Sequence, residues 1–141
     1  EPVGAIRVEG ADLKGTRVSL AEIPGLIDEL PVLALAATQA RGATVVEGAG
    51  ELRHKESDRI AALCAGLGAM GARIEALPEG FRVEGPTPLH GAAVESAGDH
   101  RIAMTLALAG LLAEGETVVR GAECIGVSFP EFPSLLEGAP R

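Results

Sequence analysis

Gly42-Ala43-Thr44-Val45-Val46-Glu47-Gly48-Ala49 returns later in the chain as Gly115-Glu116-Thr117-Val118-Val119-Arg120-Gly121-Ala122, a separation of 115 minus 42, or 73 residues. A second pair precedes it. Arg7-Val8-Glu9-Gly10 recurs as Arg82-Val83-Glu84-Gly85, 82 minus 7 or 75 residues on, and each copy leads into a Leu-x-Gly-x-x-Val, at 13–18 and again at 89–94. Two such offsets in agreement mark a duplicated supersecondary unit. They divide the chain into repeat units of approximately 11–85 and 86–141, expected to form a single partial domain over 1–141.

Hydrophobic periodicity then assigns the elements of one unit. The first reads as a strand at 17–20, an Ala/Leu-rich helix over 28–40, a Val-rich strand at 43–47 ended by Gly48, and a charged helix over 55–70. A strand at 72–76, a turn at Pro78-Glu79-Gly80 and a strand at 81–84 complete a β-α-β-α-β-β order. The second unit offers a strand at 92–95, a helix over 99–113 and a strand at 116–120. Ser128-Phe129-Pro130-Glu131 has the form of a capping box for a last helix ending near 137. A lone strand is expected at 5–9. The final two strands of the second unit are missing, so the chain is expected to need partners to close its sheets.

The first helix of each unit is apolar nearly all round, through Leu30, Leu33 and Leu35 in one and Ile102, Leu106 and Leu108 in the other, which suits helices enclosed by sheets. Both nevertheless begin with charge. Adding 73 to Asp28 lands on Arg101, so one structural position carries an acid in one unit and a base in the other. Scaffolds that repeat while their helix starts diverge point to a site where those starts converge, and helix N-termini favour anions.

The densest charge in the chain is Leu52-Arg53-His54-Lys55-Glu56-Ser57-Asp58-Arg59-Ile60. With Lys55 opening the helix, Lys55 and Arg59 stand one turn apart and Glu56 lies within a turn of Arg59. Two cations and a carboxylate on one turn can grip an anion and move a proton. They can equally be a solvated first turn of helical ion pairs, and the stretch by itself leaves both readings open.

Composition narrows the partners. The 141 residues suffice for one domain with a real core, and 47% hydrophobic residues exclude a disordered chain. Aromatics are 2%, without Trp or Tyr, and the net charge is -8, so nucleic-acid stacking platforms and a basic face are lacking. A small anion remains admissible, because a local cation cluster focuses a field inside an acidic protein. Cys64 and Cys124 lack any C-x-x-C spacing and read as reduced thiols of a cytoplasmic protein. The opening Glu1-Pro2-Val3-Gly4 has no signal-peptide pattern, and the longest apolar run, 102–113, is shorter than the roughly 20 residues a bilayer span requires. Without an initial Met, the chain is expected to be part of a longer polypeptide.

Ile27-Asp28-Glu29-Leu30-Pro31, Lys55-Glu56-Ser57-Asp58-Arg59, Gly98-Asp99-His100-Arg101 and Ser128-Phe129-Pro130, in this order on a repeating frame, resemble the C-terminal third of the 5-enolpyruvylshikimate-3-phosphate synthases. The resemblance covers essentially the whole chain. It implies the α/β enolpyruvyl transferase fold: inside-out barrels of βαβαββ units, of which this chain holds about two units of the C-terminal domain. In that family substrates bind between two domains, so the missing N-terminal domain would supply the other half of the site. It also implies that the domain's last unit is completed by strands from the start of the longer chain.

The activity implied is transfer of the enolpyruvyl group of phosphoenolpyruvate to the 5-hydroxyl of shikimate 3-phosphate, without metal or organic cofactor. By match to the family motifs, Asp28 would hydrogen-bond that hydroxyl and act as base, where the residue alone could simply cap its helix. Lys55 would contact the hydroxyl bridge, its pKa lowered by neighbours such as Arg59, and Glu56 would handle the methyl proton. Arg59 and Arg101 would take the phosphoenolpyruvate carboxylate through paired hydrogen bonds, with His100 donating a ring N–H beside them. Asp99 is expected to orient Arg101 and cap its helix. One departure stands out: where several members carry a Lys before the Ser/Thr-Phe-Pro motif, this chain has Val127, so response to glyphosate does not carry over. Arg53 and His54 receive no role. Two rivals remain, a UDP-N-acetylglucosamine enolpyruvyl transferase of the same fold and a non-catalytic module that kept the fold.

Overall fold

The computed structural model describes residues 3–138; Glu1-Pro2 and the last three residues of the expected unit lie outside the described residues. The first unit comprises β1 (Arg17–Val18), α1 (Ile23–Leu26), α2 (Leu30–Gln39), β2 (Gly42–Val46), a 3-10 turn (Gly50–His54), α3 (Arg59–Ala69), β3 (Arg73–Leu77) and β4 (Gly80–Gly85). The second comprises β5 (Ala93–Glu95), α4 (His100–Leu112), β6 (Val118–Arg120), a 3-10 turn (Ala122–Cys124), α5 (Ile125–Ser128) and α6 (Phe132–Glu137).

Thr44, Val45 and Val46 in β2 are β-branched and pack well on a pleated surface. β2 lies between β1, which is parallel to it, and β4, which is antiparallel; the β3–β4 hairpin turns over Pro78-Glu79 and completes the order β1-β2-β4-β3. The second unit reproduces the start of this sheet. Arg17 faces Val45 in one unit and Ala93 faces Val118 in the other, and the isolated bridge Lys14–Arg41 has its counterpart in His90–Glu114. The duplication read in the sequence is therefore a duplication of strand register.

Helices α2, α3 and α4 pack on one another, with the sheets outside them. Leu30, Leu52, Ile60, Leu63, Leu67, Phe81, Val83, Ile102 and Leu106 are fully buried. Removing one such Leu side chain costs about 2–5 kcal/mol. β4 reaches α2 very closely: a Cβ on Gly85 would lie 2.3 Å from the carbonyl oxygen of Ala40, so no larger residue fits. The inner helices are not apolar on every side in burial, since Val32, Leu111 and Leu112 are exposed.

Three expected elements differ. The charged helix starts at Arg59, not Lys55, because Asp58 caps it by accepting a hydrogen bond from the Ala61 amide at 3.0 Å, while Lys55 is extended after the 3-10 turn. Ser128 closes α5 and forms no capping box. Phe129, preceding Pro130, is driven out of helical geometry (φ -147, ψ 74), and α6 begins only at Phe132 without a side-chain cap. The strand expected at 5–9 pairs with nothing, and Ile6 and Val8 are exposed.

No helix of the described residues is long and apolar enough to cross a membrane. Cys64 and Cys124 are unpaired and half-buried, and burial pushes the Cys64 thiol pKa up.

Candidate active site at three helix starts

The turn before α2, the bend before α3 and the cap of α4 meet at one place. Each delivers a carboxylate, and the guanidinium of Arg59, the first residue of α3, sits between them. Its Nε donates to Asp99 Oδ2 at 2.7 Å, Nη1 to Asp28 Oδ1 at 3.0 Å and Nη2 to Glu56 Oε2 at 2.6 Å. The planar fork explains why one side chain can serve three acceptors lying in different directions.

Burial of this hub is extreme. Arg59 is 1% exposed and Asp99 0%, whereas the side chains of Asp28 and Glu56 are 42% and 48% exposed. An isolated buried charge is very costly, so the Arg59–Asp99 pair persists because nearly every polar atom on it is satisfied. Asp99 Oδ1 accepts from the amides of Arg101 and Ile102, capping α4, while Oδ2 also accepts from the Ser57 hydroxyl at 3.3 Å. Desolvation raises the Asp99 pKa, but the Arg59 hydrogen bond and charge outweigh it, and the carboxyl lies below its ordinary range. Desolvation likewise opposes the Arg59 charge, and Asp99, Asp28 and Glu56 more than offset it, so its pKa is raised.

Asp28 does not cap its helix. α2 begins at Leu30 with Glu29 at the cap position and no side-chain cap bond, which leaves the Asp28 carboxylate to Arg59. Burial raises its pKa, but the Arg59 hydrogen bond and the charges of Arg101, Lys55 and Arg59 prevail, leaving it below the usual carboxylate value and ionised at neutral pH.

Around this hub stand the remaining predicted residues. Arg101 donates from Nη1 to the Asp28 carbonyl oxygen at 2.9 Å, with Nη2 3.7 Å from Asp28 Oδ2. His100 Nδ1 is 3.8 Å from Glu56 Oε1. Lys55 turns to the Glu51 carboxylate at 2.6 Å. That hydrogen bond is the main reason its pKa is raised, opposite to the lowering expected from Arg59, whose repulsion is the smallest influence. Asp28, Glu56, Arg59, His100 and Arg101 thus form one contiguous cluster, and Lys55 borders it.

Two residues were harder to read from sequence. Asp99 holds the Arg59 side chain rather than that of Arg101, to which it bonds only through the main-chain amide. Arg53, given no role, ties the β3–β4 hairpin to the start of α3: its nitrogens donate to Leu77 O at 2.7 Å, Pro78 O at 3.1 Å and Asp58 Oδ2 at 2.9 Å. Asp58 is an evident cap residue before an apolar run, and that signal alone could have moved the helix start.

Chemically, the cluster offers two half-exposed carboxylates over a buried guanidinium, beside a second guanidinium. A pocket of about 280 Å³ opens beside them, lined by Asp28, Glu29 and Arg101 on one side and by Met104, Phe129 and Phe132 on another. Such a site can bind an anion and exchange protons with a neutral partner.

Comparison with known proteins agrees. The family model for EPSP synthase (3-phosphoshikimate 1-carboxyvinyltransferase) matches residues 1–136. A 3-phosphoshikimate 1-carboxyvinyltransferase of Pelotomaculum thermopropionicum is 58% identical over 137 residues, covering 96% of this chain and 32% of the relative. That of Desulforamulus reducens is 51% identical, covering 97% and 32%. The chain therefore spans about a third of the length of the curated relatives it matches. Among solved structures, EPSP synthase from Acinetobacter baumannii superposes with a TM-score of 0.86 at 41% identity, covering 91% of this chain and 30% of that one. The enolpyruvyl transferase NikO from Streptomyces tendae gives 0.66 at 29% identity, covering 79% and 24%.

Proposed function

The chain belongs to the EPSP synthase (3-phosphoshikimate 1-carboxyvinyltransferase) family, and from that premise we propose that, within a longer polypeptide, it provides half of a site transferring the enolpyruvyl group of phosphoenolpyruvate to the 5-hydroxyl of shikimate 3-phosphate. The missing N-terminal domain provides the other half. The observation that carries this reading is the convergence of Asp28, Glu56, Arg59 and Arg101, drawn from three helix starts in two repeats, on one half-exposed cluster.

The reaction has two stages. The methylene carbon of phosphoenolpyruvate takes a proton as the 5-hydroxyl oxygen bonds to the adjacent carbon, giving a tetrahedral ketal; phosphate then departs as a methyl proton is withdrawn. Asp28, kept ionised by the surrounding cations, accepts the hydroxyl proton. Glu56 delivers and later removes the methyl proton; it is half exposed and held by only one hydrogen bond to Arg59. Lys55, released from Glu51, stabilises the bridging oxygen.

Arg101 grips the phosphoenolpyruvate carboxylate, and the outer nitrogens of Arg59 share it when Asp28 or Glu56 turns toward substrate. His100 donates to the same anion. Asp99 stays in place throughout as the positioning residue that keeps Arg59 aimed. On the phosphate side Val127 is exposed and supplies no cation, so that charge must come from elsewhere.

The reading is tested by phosphate release from phosphoenolpyruvate by the complete polypeptide. Turnover with shikimate 3-phosphate and none with UDP-N-acetylglucosamine is expected. The reverse result overturns it.

A further inference from the structure

In the first unit β2 has a neighbour on each edge, β1 and β4; in the second unit β6 has β5 alone. Adding 73 to the residues that receive β4 maps the equivalent place on the second unit. Gly42, Ala43, Thr44 and Val46 become Gly115, Glu116, Thr117 and Val119. Ala37, Thr38 and Ala40, whose carbonyls close on Gly85, become Gly110, Leu111 and Ala113. Those seven positions line a cavity of about 520 Å³, completed in part by Leu136, the counterpart of the core residue Leu63. The groove is the socket of a β4-type strand.

Its occupant is missing in a way the atoms register. Thr117 Oγ1 is buried with no hydrogen-bond partner among the described residues, whereas its counterpart Thr44 accepts the Thr16 amide at 3.4 Å. Val119 is half-buried where Val46 is fully buried. Val118 N–H is used on the β5 side, donating to Ala92 O, so the Thr117 and Val119 amides point to the open edge.

The sequence that fills this socket in the first unit is Arg82-Val83-Glu84-Gly85, with Val83 opposite Thr44 and Gly85 opposite Gly42. The same four residues stand at Arg7-Val8-Glu9-Gly10, in a segment that joins no strand or helix, with Ile6 92% and Val8 87% exposed. That segment does not belong beside β1: its counterpart β4 and the following β5 lie in different sheets.

We propose that the open edge of β6 and the groove over α4 receive residues 6–10 of a second copy of this chain as an antiparallel strand. The register is that of β4 on β2, with Ile6 opposite Val119, Val8 opposite Thr117 and Gly10 opposite Gly115. Each copy carries one such strand and one such edge, so reciprocal exchange closes a dimer and one-way exchange builds longer assemblies. The proposal is independent of the enzymatic reading.

Sedimentation of the 141-residue chain over a range of concentrations, with hydrogen exchange at Thr117 and Val119, tests it. Association to dimer or larger with protection of both amides is expected. Val8→Pro removes a strand amide in the exposed segment and leaves the folded body untouched, as its circular dichroism will report; Leu111→Lys charges the groove from the receiving side. Both are expected to give monomer and to lose the protection. A wild-type chain that stays monomeric, association indifferent to Val8→Pro, or protected amides in a monomer, which would mean capture within one copy, each overturns the proposal.

Discussion

Arg101 and Asp28 stand 73 residues apart, the spacing of the internal repeat, and Arg101 Nη1 donates to the Asp28 main-chain oxygen at 2.9 Å. Two copies of one helix start therefore lean directly on each other, one having become basic and the other acidic. Substituting either should disturb the other. Arg101→Lys keeps the charge but loses the two-pronged geometry, and kcat/KM for phosphoenolpyruvate in the complete polypeptide is expected to fall about 100-fold, the loss of one or two charge-assisted hydrogen bonds.

Asp99→Ala leaves the buried Arg59 with two of its three carboxylates and removes the cap of α4. A loss of about 3 kcal/mol in urea unfolding is expected, near the value for breaking a buried pair. Asp99→Asn can still accept the α4 amides and should cost clearly less. Equal losses would show that the charge contributes nothing.

The pKa values of Asp28 and Asp99 are lower in the folded chain than in the unfolded one, so the unfolded chain binds more protons as acid is added. Their contribution to stability is complete above the unfolded carboxylate value of ~3.9 and is lost as pH falls below it through the folded values. The urea midpoint is expected to be level through neutral pH and to drop below about pH 4, with a shallower drop in Asp99→Asn.

Arg53→Ala removes three donated hydrogen bonds between the hairpin and the α3 cap. A destabilisation of about 1–3 kcal/mol is expected, with KM for both substrates of the complete polypeptide unchanged. A large change in KM would mean that Arg53 acts at the site and not on the scaffold.

Much of this was legible before any coordinates. The paired repeats foretold the strand–helix–strand register of both units, because Thr-Val-Val and Leu-x-Gly-x-x-Val mark β2 and β6 and their partners. The cluster was legible through four short motifs in order, since each falls at a helix start. What escaped depended on contacts between distant segments. Asp99 and Arg59 lie 40 residues apart, and Arg53 acts on carbonyls of a hairpin that no local pattern places beside it. The Lys55 helix start failed for a local reason: charge spacing was weighed above the cap residue Asp58. Ser128 failed because Pro130 bends the chain before a cap can form.

The central claim is that Glu56, held over the Arg59 hub, moves the proton at the reacting carbon. The most direct measurement is the turnover of phosphoenolpyruvate with shikimate 3-phosphate by the complete polypeptide carrying Glu56→Gln, which keeps the shape of the side chain and its hydrogen-bond acceptor. A fall of at least about 100-fold in kcat is expected, with unfolding changed little. Turnover at the wild-type level would contradict the account.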